Sequence, residues 1–177
     1  MSYASESDMY PDVLHWLERF LADRLPSCSV EVRDTHASPL NQIVAREGLH
    51  DYFGDDVWQT FEIRVDVTAF LMCKQTPALV FVECKTAPIS LRHVSQVLGY
   101  SRVALPLLSY LISSAGIGDA VKALILRYER TDVLEYDWPP GALPRTLIIG
   151  RWDKTAKHID ASSILPPGID PSTLIDL

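Results

Sequence analysis

The chain contains no apolar run close to the ~20 residues that a membrane-spanning helix needs. Its first residues carry neither the basic nor the apolar region of a secretory signal, so we expect a cytoplasmic protein that does not enter a membrane. A glycine-rich phosphate loop and a histidine-rich metal motif are also missing. This leaves an unrelated metal-dependent hydrolase of small phosphate esters without support.

Basic residues are few: 16 lysines and arginines stand against 23 acids, for a net charge of -7. Proteins that bind nucleic acid through their overall charge usually have a basic surplus, which this chain lacks. Any contact with nucleic acid must therefore come from a local patch and a bound cation.

Cysteine is scarce as well, with Cys28, Cys73 and Cys84 the three in the sequence. An odd number without paired spacing argues against a disulfide framework and against a structural zinc site. Cys73 closely follows the strand predicted at 61–71 and Cys84 falls on the strand predicted at 78–85, so the two could be neighbours. In a reducing compartment we expect them to be buried free thiols.

The length and composition are typical of one globular domain: 177 residues, 47% hydrophobic and 22% charged. We expect a disordered segment at residues 1–9, a single domain at 10–165 and an irregular tail at 166–177. Within the domain, we expect a turn at 138–141. The patterns predict helices near residues 11–25, 39–46, 90–104 and 119–129, and strands at 29–33, 61–71, 78–85, 107–113, 133–136, 146–152 and 157–160. This order favours an α/β fold with a central mixed β-sheet flanked by helices.

Two of these predicted strands carry acids where apolar residues would be expected. Asp66 interrupts the run at 61–71, and Glu83 lies near the end of the run at 78–85, two residues before Lys85. Because side chains alternate along a strand, Glu83 and Lys85 share one face and Cys84 points to the other. If the two strands pair, one register brings Asp66 beside Glu83.

Such a pair of carboxylates has a chemical consequence. Two close carboxylates repel, and one of them would take up a proton unless a cation lies between them. Oxygen ligands favour a hard ion, Mg²⁺ or Mn²⁺, which polarises a phosphoryl oxygen and lowers the pKa of a bound water. Lys85 is placed to stabilise charge that builds up on a phosphate.

The pattern Asp66…Glu83-Cys84-Lys85 resembles the catalytic signature of the PD-(D/E)XK nuclease superfamily. The resemblance implies a restriction-endonuclease-like core, in which the two acids hold the metal and the lysine assists. It also implies that the backbone carbonyl of Cys84 ligates the metal. Val65 stands where the family often has proline.

The following helix extends the resemblance. Gln96 and Tyr100 match the Q-h-x-x-Y element of the RecB-like and lambda-exonuclease-like branch, which makes Gln96 a further catalytic candidate. Arg92 and His93 share the face of that helix and are candidates, with Tyr100, for binding nucleic acid. The family's opening helix often supplies another acid, for which Glu18 is the candidate.

Two functions remain open from the sequence. One is a Mg²⁺- or Mn²⁺-dependent deoxyribonuclease, for which a homodimer would supply one site per DNA strand. The other is a module that keeps the fold without efficient chemistry and binds nucleic acid or protein. The main candidates also have plain structural interpretations: Asp66 as a solvent-facing acid on an edge strand, and Glu83 with Lys85 as a surface salt bridge at a strand end. Gln96 and Tyr100 could be half-buried packing, and Glu18 a solvated helix residue.

Overall fold

The computed structural model describes residues 3–53, 56–74, 76–136 and 145–170. The turn predicted at 138–141 and the end of the tail, residues 171–177, lie outside the described residues. In chain order the elements are α1 (Tyr10–Arg24), β1 (Cys28–Asp34), α2 (Leu40–Glu47), β2 (Val67–Cys73), β3 (Thr76–Lys85), α3 (Leu91–Ala104), β4 (Leu108–Ser113), α4 (Asp119–Lys122, continued by a π-helical turn at Ala123–Arg127), β5 (Glu135–Tyr136), β6 (Arg145–Asp153) and β7 (His158–Ile159).

The strands form one mixed sheet in the order β1-β2-β3-β4-β6-β5, with β7 also paired to β6. The two parallel pairs, β3 with β4 and β4 with β6, lie at its centre, and the other pairs are antiparallel. Helix α1 packs on one face, whereas α2, α3 and α4 cover the other. The predicted α/β fold, with a central mixed sheet flanked by helices, is therefore confirmed.

Local sequence signals explain several element boundaries. The buried side chains of α1 recur at helical spacing, at Val13, Leu17 and Leu21. Helix α2 ends at Gly48, whose left-handed backbone (φ 69°) is favourable for glycine. Ser90 caps α3 by accepting a hydrogen bond from the amide of His93. No helix in the described ranges is long and apolar enough to cross a bilayer.

The strand predicted at 61–71 begins later than expected, because β2 starts at Val67. The residues before β2 form hydrogen bonds to the start of α2 and are not part of the strand. The carbonyls of Phe61 and Ile63 accept hydrogen bonds from the amides of Asn41 and Leu40, which open that helix and have no partner within it. The apolar residues of this segment pack under α2 and do not extend the sheet.

The disorder predicted for the N-terminus is wrong for residues 3–9. Tyr3 and Met9 are buried in the core cluster beneath α1. The Tyr3 hydroxyl donates to Asp12 Oδ2 at 2.8 Å and accepts from Trp152 Nε1 at 3.1 Å. The prediction of disorder rested on the polar composition of this segment and overlooked Tyr3, which binds Trp152 on β6.

The expectation of buried free thiols at Cys73 and Cys84 is wrong for Cys73, and the argument against a disulfide is wrong as well. Cys28 and Cys73 lie opposite each other in the β1–β2 pairing, with Cα atoms 4.4 Å apart, and form a disulfide. Cys84 lies far along β3 and is a buried free thiol. Strand register decided the pairing, because it brings together two residues that are 45 apart in sequence.

The anchoring of the N-terminus predicts a stability loss for Tyr3→Phe. Removing the hydroxyl leaves the buried Trp152 N–H without its acceptor, which we expect to cost about 1–3 kcal/mol of unfolding free energy. Urea denaturation followed by tryptophan fluorescence measures this loss of unfolding free energy. Tyr128→Phe is the matched control, because Tyr128 is 62% exposed. Equal losses in the two variants would contradict the anchoring.

Candidate functional site

The site lies where β3 extends beyond β2. The last β2–β3 pair joins Val67 to Val82, so the end of β3 has no partner on that side. Asp66 immediately precedes β2, and its backbone carbonyl accepts a hydrogen bond from the amide of Thr35 at 2.9 Å. The chain thus places Asp66 beside Glu83 and Lys85, at the carboxyl end of a strand in the parallel part of the sheet.

Asp66 is buried and held by two hydrogen bonds. The Tyr10 hydroxyl donates to Oδ1 at 2.8 Å, and the backbone amide of Cys84 donates to Oδ2 at 2.8 Å. Tyr10 opens α1, so this helix and β3 together fix the orientation of the carboxylate. A side chain with both oxygens bound in this way is fixed in position before any ligand arrives.

Glu83 and Lys85 form a buried ion pair. Lys85 Nζ lies 2.9 Å from Glu83 Oε1 and 3.3 Å from Glu6 Oε2. Gln96 Nε2 donates to the same Glu83 oxygen at 3.2 Å. The other oxygen, Glu83 Oε2, is buried without a hydrogen-bond partner among the described residues. A buried carboxylate oxygen with no partner is costly, so this atom is open to a proton, a water or a cation.

The pKa values show how poorly the buried charge is compensated. Burial, and next the charge of Asp66, raise the pKa of Glu83 from 4.5 to about 7, against the charge and hydrogen bond of Lys85 and the backbone amide of Asp66. Burial also raises the pKa of Asp66, against the hydrogen bonds from Cys84 and Tyr10 and the charge of Lys85. Burial lowers the pKa of Lys85, but the nearby carboxylates outweigh it and raise that pKa overall. The single positive charge of Lys85 therefore does not neutralise both Asp66 and Glu83.

Cys84 contributes its backbone. Its side chain is fully buried in the core beneath α1, and burial raises the pKa of the thiol, which keeps it protonated. Its amide points at Asp66. Because the amide and carbonyl of a strand residue lie on the same side, the Cys84 carbonyl faces that side too.

The residues predicted on α3 differ in their roles. Gln96 reaches Glu83 and also donates to the Tyr100 hydroxyl at 2.9 Å. Tyr100 packs, half-buried, against the cluster under α2. His93 is a cap residue, since its Nδ1 accepts from the Ser90 amide, and burial with the nearby Lys85 lowers its pKa. Arg92 is exposed.

Glu18 does not belong to this cluster. It is exposed, whereas the face of α1 that packs on the sheet carries Tyr10 and Leu17. It also lies eight residues from Tyr10, roughly 12 Å along the helix axis. The residues that α1 and its preceding turn bring to the site are Tyr10 and Glu6, which the sequence analysis missed. Their spacing of one helical turn was the available signal, hidden by the expected disorder.

No group of three or more His, Cys, Asp or Glu side chains in the described part of the chain is arranged to hold a metal ion. The residues at the site nevertheless fit a hard cation in their chemistry: two buried carboxylates, one with an unpartnered oxygen, and a backbone carbonyl on the same side. No family model, curated protein or solved structure matches the chain.

The raised pKa of Glu83 predicts a pH-dependent stability in EDTA. Between about pH 4.5 and about pH 7, the Glu83 carboxyl keeps its proton in the folded state but has lost it in the unfolded state. Stability therefore falls as pH rises through this window. Glu83→Gln lacks this loss, so its stability relative to wild type should increase by on the order of 2–3 kcal/mol between pH 5 and pH 8.

Urea unfolding at the two pH values measures this difference. Glu129→Gln, a change to an exposed residue, is the control and should follow wild type at both. If the stability of Glu83→Gln relative to wild type is the same at pH 5 and pH 8, the buried carboxylate is not destabilising.

Proposed function

We propose that this protein is a divalent-metal-dependent deoxyribonuclease that hydrolyses phosphodiester bonds, with Asp66 and Glu83 as the metal ligands. The observation that carries the proposal is the unpartnered, buried Oε2 of Glu83 beside a second buried carboxylate. Buried groups of like charge with strongly shifted pKa values cluster at functional sites. A divalent cation such as Mg²⁺ or Mn²⁺ would neutralise both acids and polarise a phosphoryl oxygen.

Lys85 provides the cationic group for the phosphate. Its ammonium has three donors, of which the structure uses two, towards Glu83 and Glu6. Glu6 is 38% exposed and belongs to the turn before α1, so a substrate phosphate can replace it at the ammonium. Lys85 then stabilises the negative charge that develops on the phosphate oxygens.

Three neighbouring groups keep the acids in place. Tyr10 and the Cys84 amide orient Asp66, and Gln96 orients Glu83. These bonds fix the two carboxylates on rigid elements, which a metal site needs if its ligands are to converge. The Cys84 carbonyl is proposed as a third ligand.

The order of elements supports the same proposal. Reading α1, β1, β2, β3, α3 and β4 along the chain gives the order that a restriction-endonuclease-like core requires, with α2 inserted between β1 and β2. Gln96 on α3 contacts the candidate metal ligand Glu83, in keeping with the Q-h-x-x-Y resemblance. This support is an analogy of fold, and the argument for chemistry rests on the site.

A second candidate is a protein of this fold without efficient catalysis, which binds nucleic acid or protein. Both oxygens of Asp66 already accept hydrogen bonds, and Lys85 is bound on two sides. If these contacts are kept, Asp66 has fewer lone pairs to offer a cation and Lys85 is not released to a phosphate. Metal binding and cleavage separate the two candidates.

The nuclease proposal predicts metal-dependent cleavage. Linear and circular DNA should be cut in Mg²⁺ or Mn²⁺ and remain intact in EDTA. Asp66→Asn should abolish cleavage, because it removes a ligand charge, and Lys85→Ala should slow it by about 10²–10³-fold. Gel electrophoresis with end-labelled substrates measures both rates.

Matched controls lie on α4. Asp119→Asn and Lys122→Ala make the same charge changes at exposed positions and should cut at the wild-type rate. The proposal fails if wild type shows no cleavage with either metal, or if Asp66→Asn and Lys85→Ala cut as fast as these controls.

Metal binding should also stabilise the fold. At a concentration of Mn²⁺ about 100-fold above its dissociation constant, wild type should gain ~2.7 kcal/mol, or roughly 5–10 °C in Tm. Asp66→Asn and Glu83→Gln should gain little, and Asp119→Asn should behave as wild type. A scan with and without Mn²⁺ measures the shift, and equal shifts in all four proteins would place the cation elsewhere.

A further inference from the structure

A groove of about 530 Å³ lies between the outer flank of α1 and the turn that joins β6 to β7. Its lining carries three cations, Arg19, Arg24 and Lys157, and one acid, Asp23. These lining residues have a net positive charge, whereas the chain as a whole has a net charge of -7. A local positive surface on an acidic protein selects an anionic partner.

Two aromatic side chains line the groove beside these cations. Trp16 and Phe20 lie with ring centroids 5.4 Å apart. Trp16 also packs edge-on against the buried Tyr110 at 5.6 Å and against the buried Trp152 at 5.7 Å. Its ring is therefore held in one orientation, and little entropy is lost when a flat ligand packs on it.

The cations are positioned by the same residues. The Arg24 guanidinium lies over the Phe20 ring, 4.1 Å from its centroid, which leaves its outer face and most of its donors to solvent. Lys157 Nζ is held 2.8 Å from Asp12 Oδ1 while its side chain stays 60% exposed. Arg19 is exposed on α1, the helix that also carries Arg24. The groove thus combines fixed aromatic surfaces with accessible positive charge.

We propose that this groove binds a segment of single-stranded nucleic acid, with phosphates at Arg19, Arg24 and Lys157 and a base against the Trp16–Phe20 aromatic surface. Aromatic surfaces that alternate with cations are the common means of holding single strands, because every base has a flat face. An acidic protein segment would use the cations but leave the aromatic surface without a partner. The proposal depends on the proposed function only in choosing nucleic acid, and binding here requires no metal.

Helix α1 carries residues of the groove and also Tyr10, which contacts Asp66. Arg19 is nine residues from Tyr10 along α1, or roughly 13–14 Å. Helix α1 therefore connects Tyr10, which touches Asp66, to the groove on the same rigid element.

Fluorescence anisotropy in EDTA tests the groove without cleavage. The probe is a labelled 20-nucleotide single strand, titrated with wild type, with Arg19→Gln/Arg24→Gln, and with Arg102→Gln/Arg127→Gln. The last pair lowers the charge equally, at exposed positions on the helices that cover the other face of the sheet. We expect the groove variant to bind about tenfold or more weakly, with a shallower salt dependence, and the control to remain near wild type.

Several results would contradict the proposal that the groove binds single-stranded nucleic acid. These are no binding by wild type in EDTA, equal weakening by the two double variants, a matched duplex that binds as tightly as the single strand, or polyglutamate that displaces the strand at equal charge. The two proposals also fail separately. Groove-dependent binding without cleavage in metal would refute the nuclease alone, whereas normal cleavage and binding by the groove variant would refute the groove alone.

Discussion

The burial of two carboxylates beside one lysine is the constraint on which the rest of the site depends. Asp66 and Glu83 lie in the interior at the end of β3, and Lys85 is the one ammonium that the described structure places against them. Such burial opposes ionisation, as the raised pKa values of both acids show. The fold tolerates this arrangement because Tyr10, the Cys84 amide and Gln96 satisfy three of the four carboxylate oxygens. The remaining oxygen is the position at which a cation would contribute most.

Much of the fold could be predicted from the sequence because its signals are local. The predicted helices at 11–25, 39–46 and 90–104 agree with α1, α2 and α3 to within a few residues. The second acidic strand was predicted almost to the residue, since it is a continuous apolar run that ends in Glu83 and Lys85. Alternation along that strand then predicted that Cys84 points away from the acids, which the core packing confirms.

What could not be predicted depends on register and on contacts between distant segments. The Cys28–Cys73 pair follows from the alignment of β1 with β2, which composition does not encode. The start of β2 depends on backbone bonds that the preceding segment makes to α2. Glu6 and Tyr10 reach the site because Tyr3 ties the N-terminus to Trp152, a contact 149 residues apart in sequence. Glu18 was chosen by analogy and fails because it is exposed, away from the packed face of α1.

The central claim is that Asp66 and Glu83 hold one divalent cation between them. Anomalous X-ray diffraction from a crystal soaked in Mn²⁺ tests it most directly, because the signal locates the ion without reference to activity. The account predicts a single strong peak within coordination distance of a carboxylate oxygen of each acid, and no peak there in Glu83→Gln. A wild-type crystal with an unoccupied site under saturating Mn²⁺, or with its ion bound elsewhere, would contradict it.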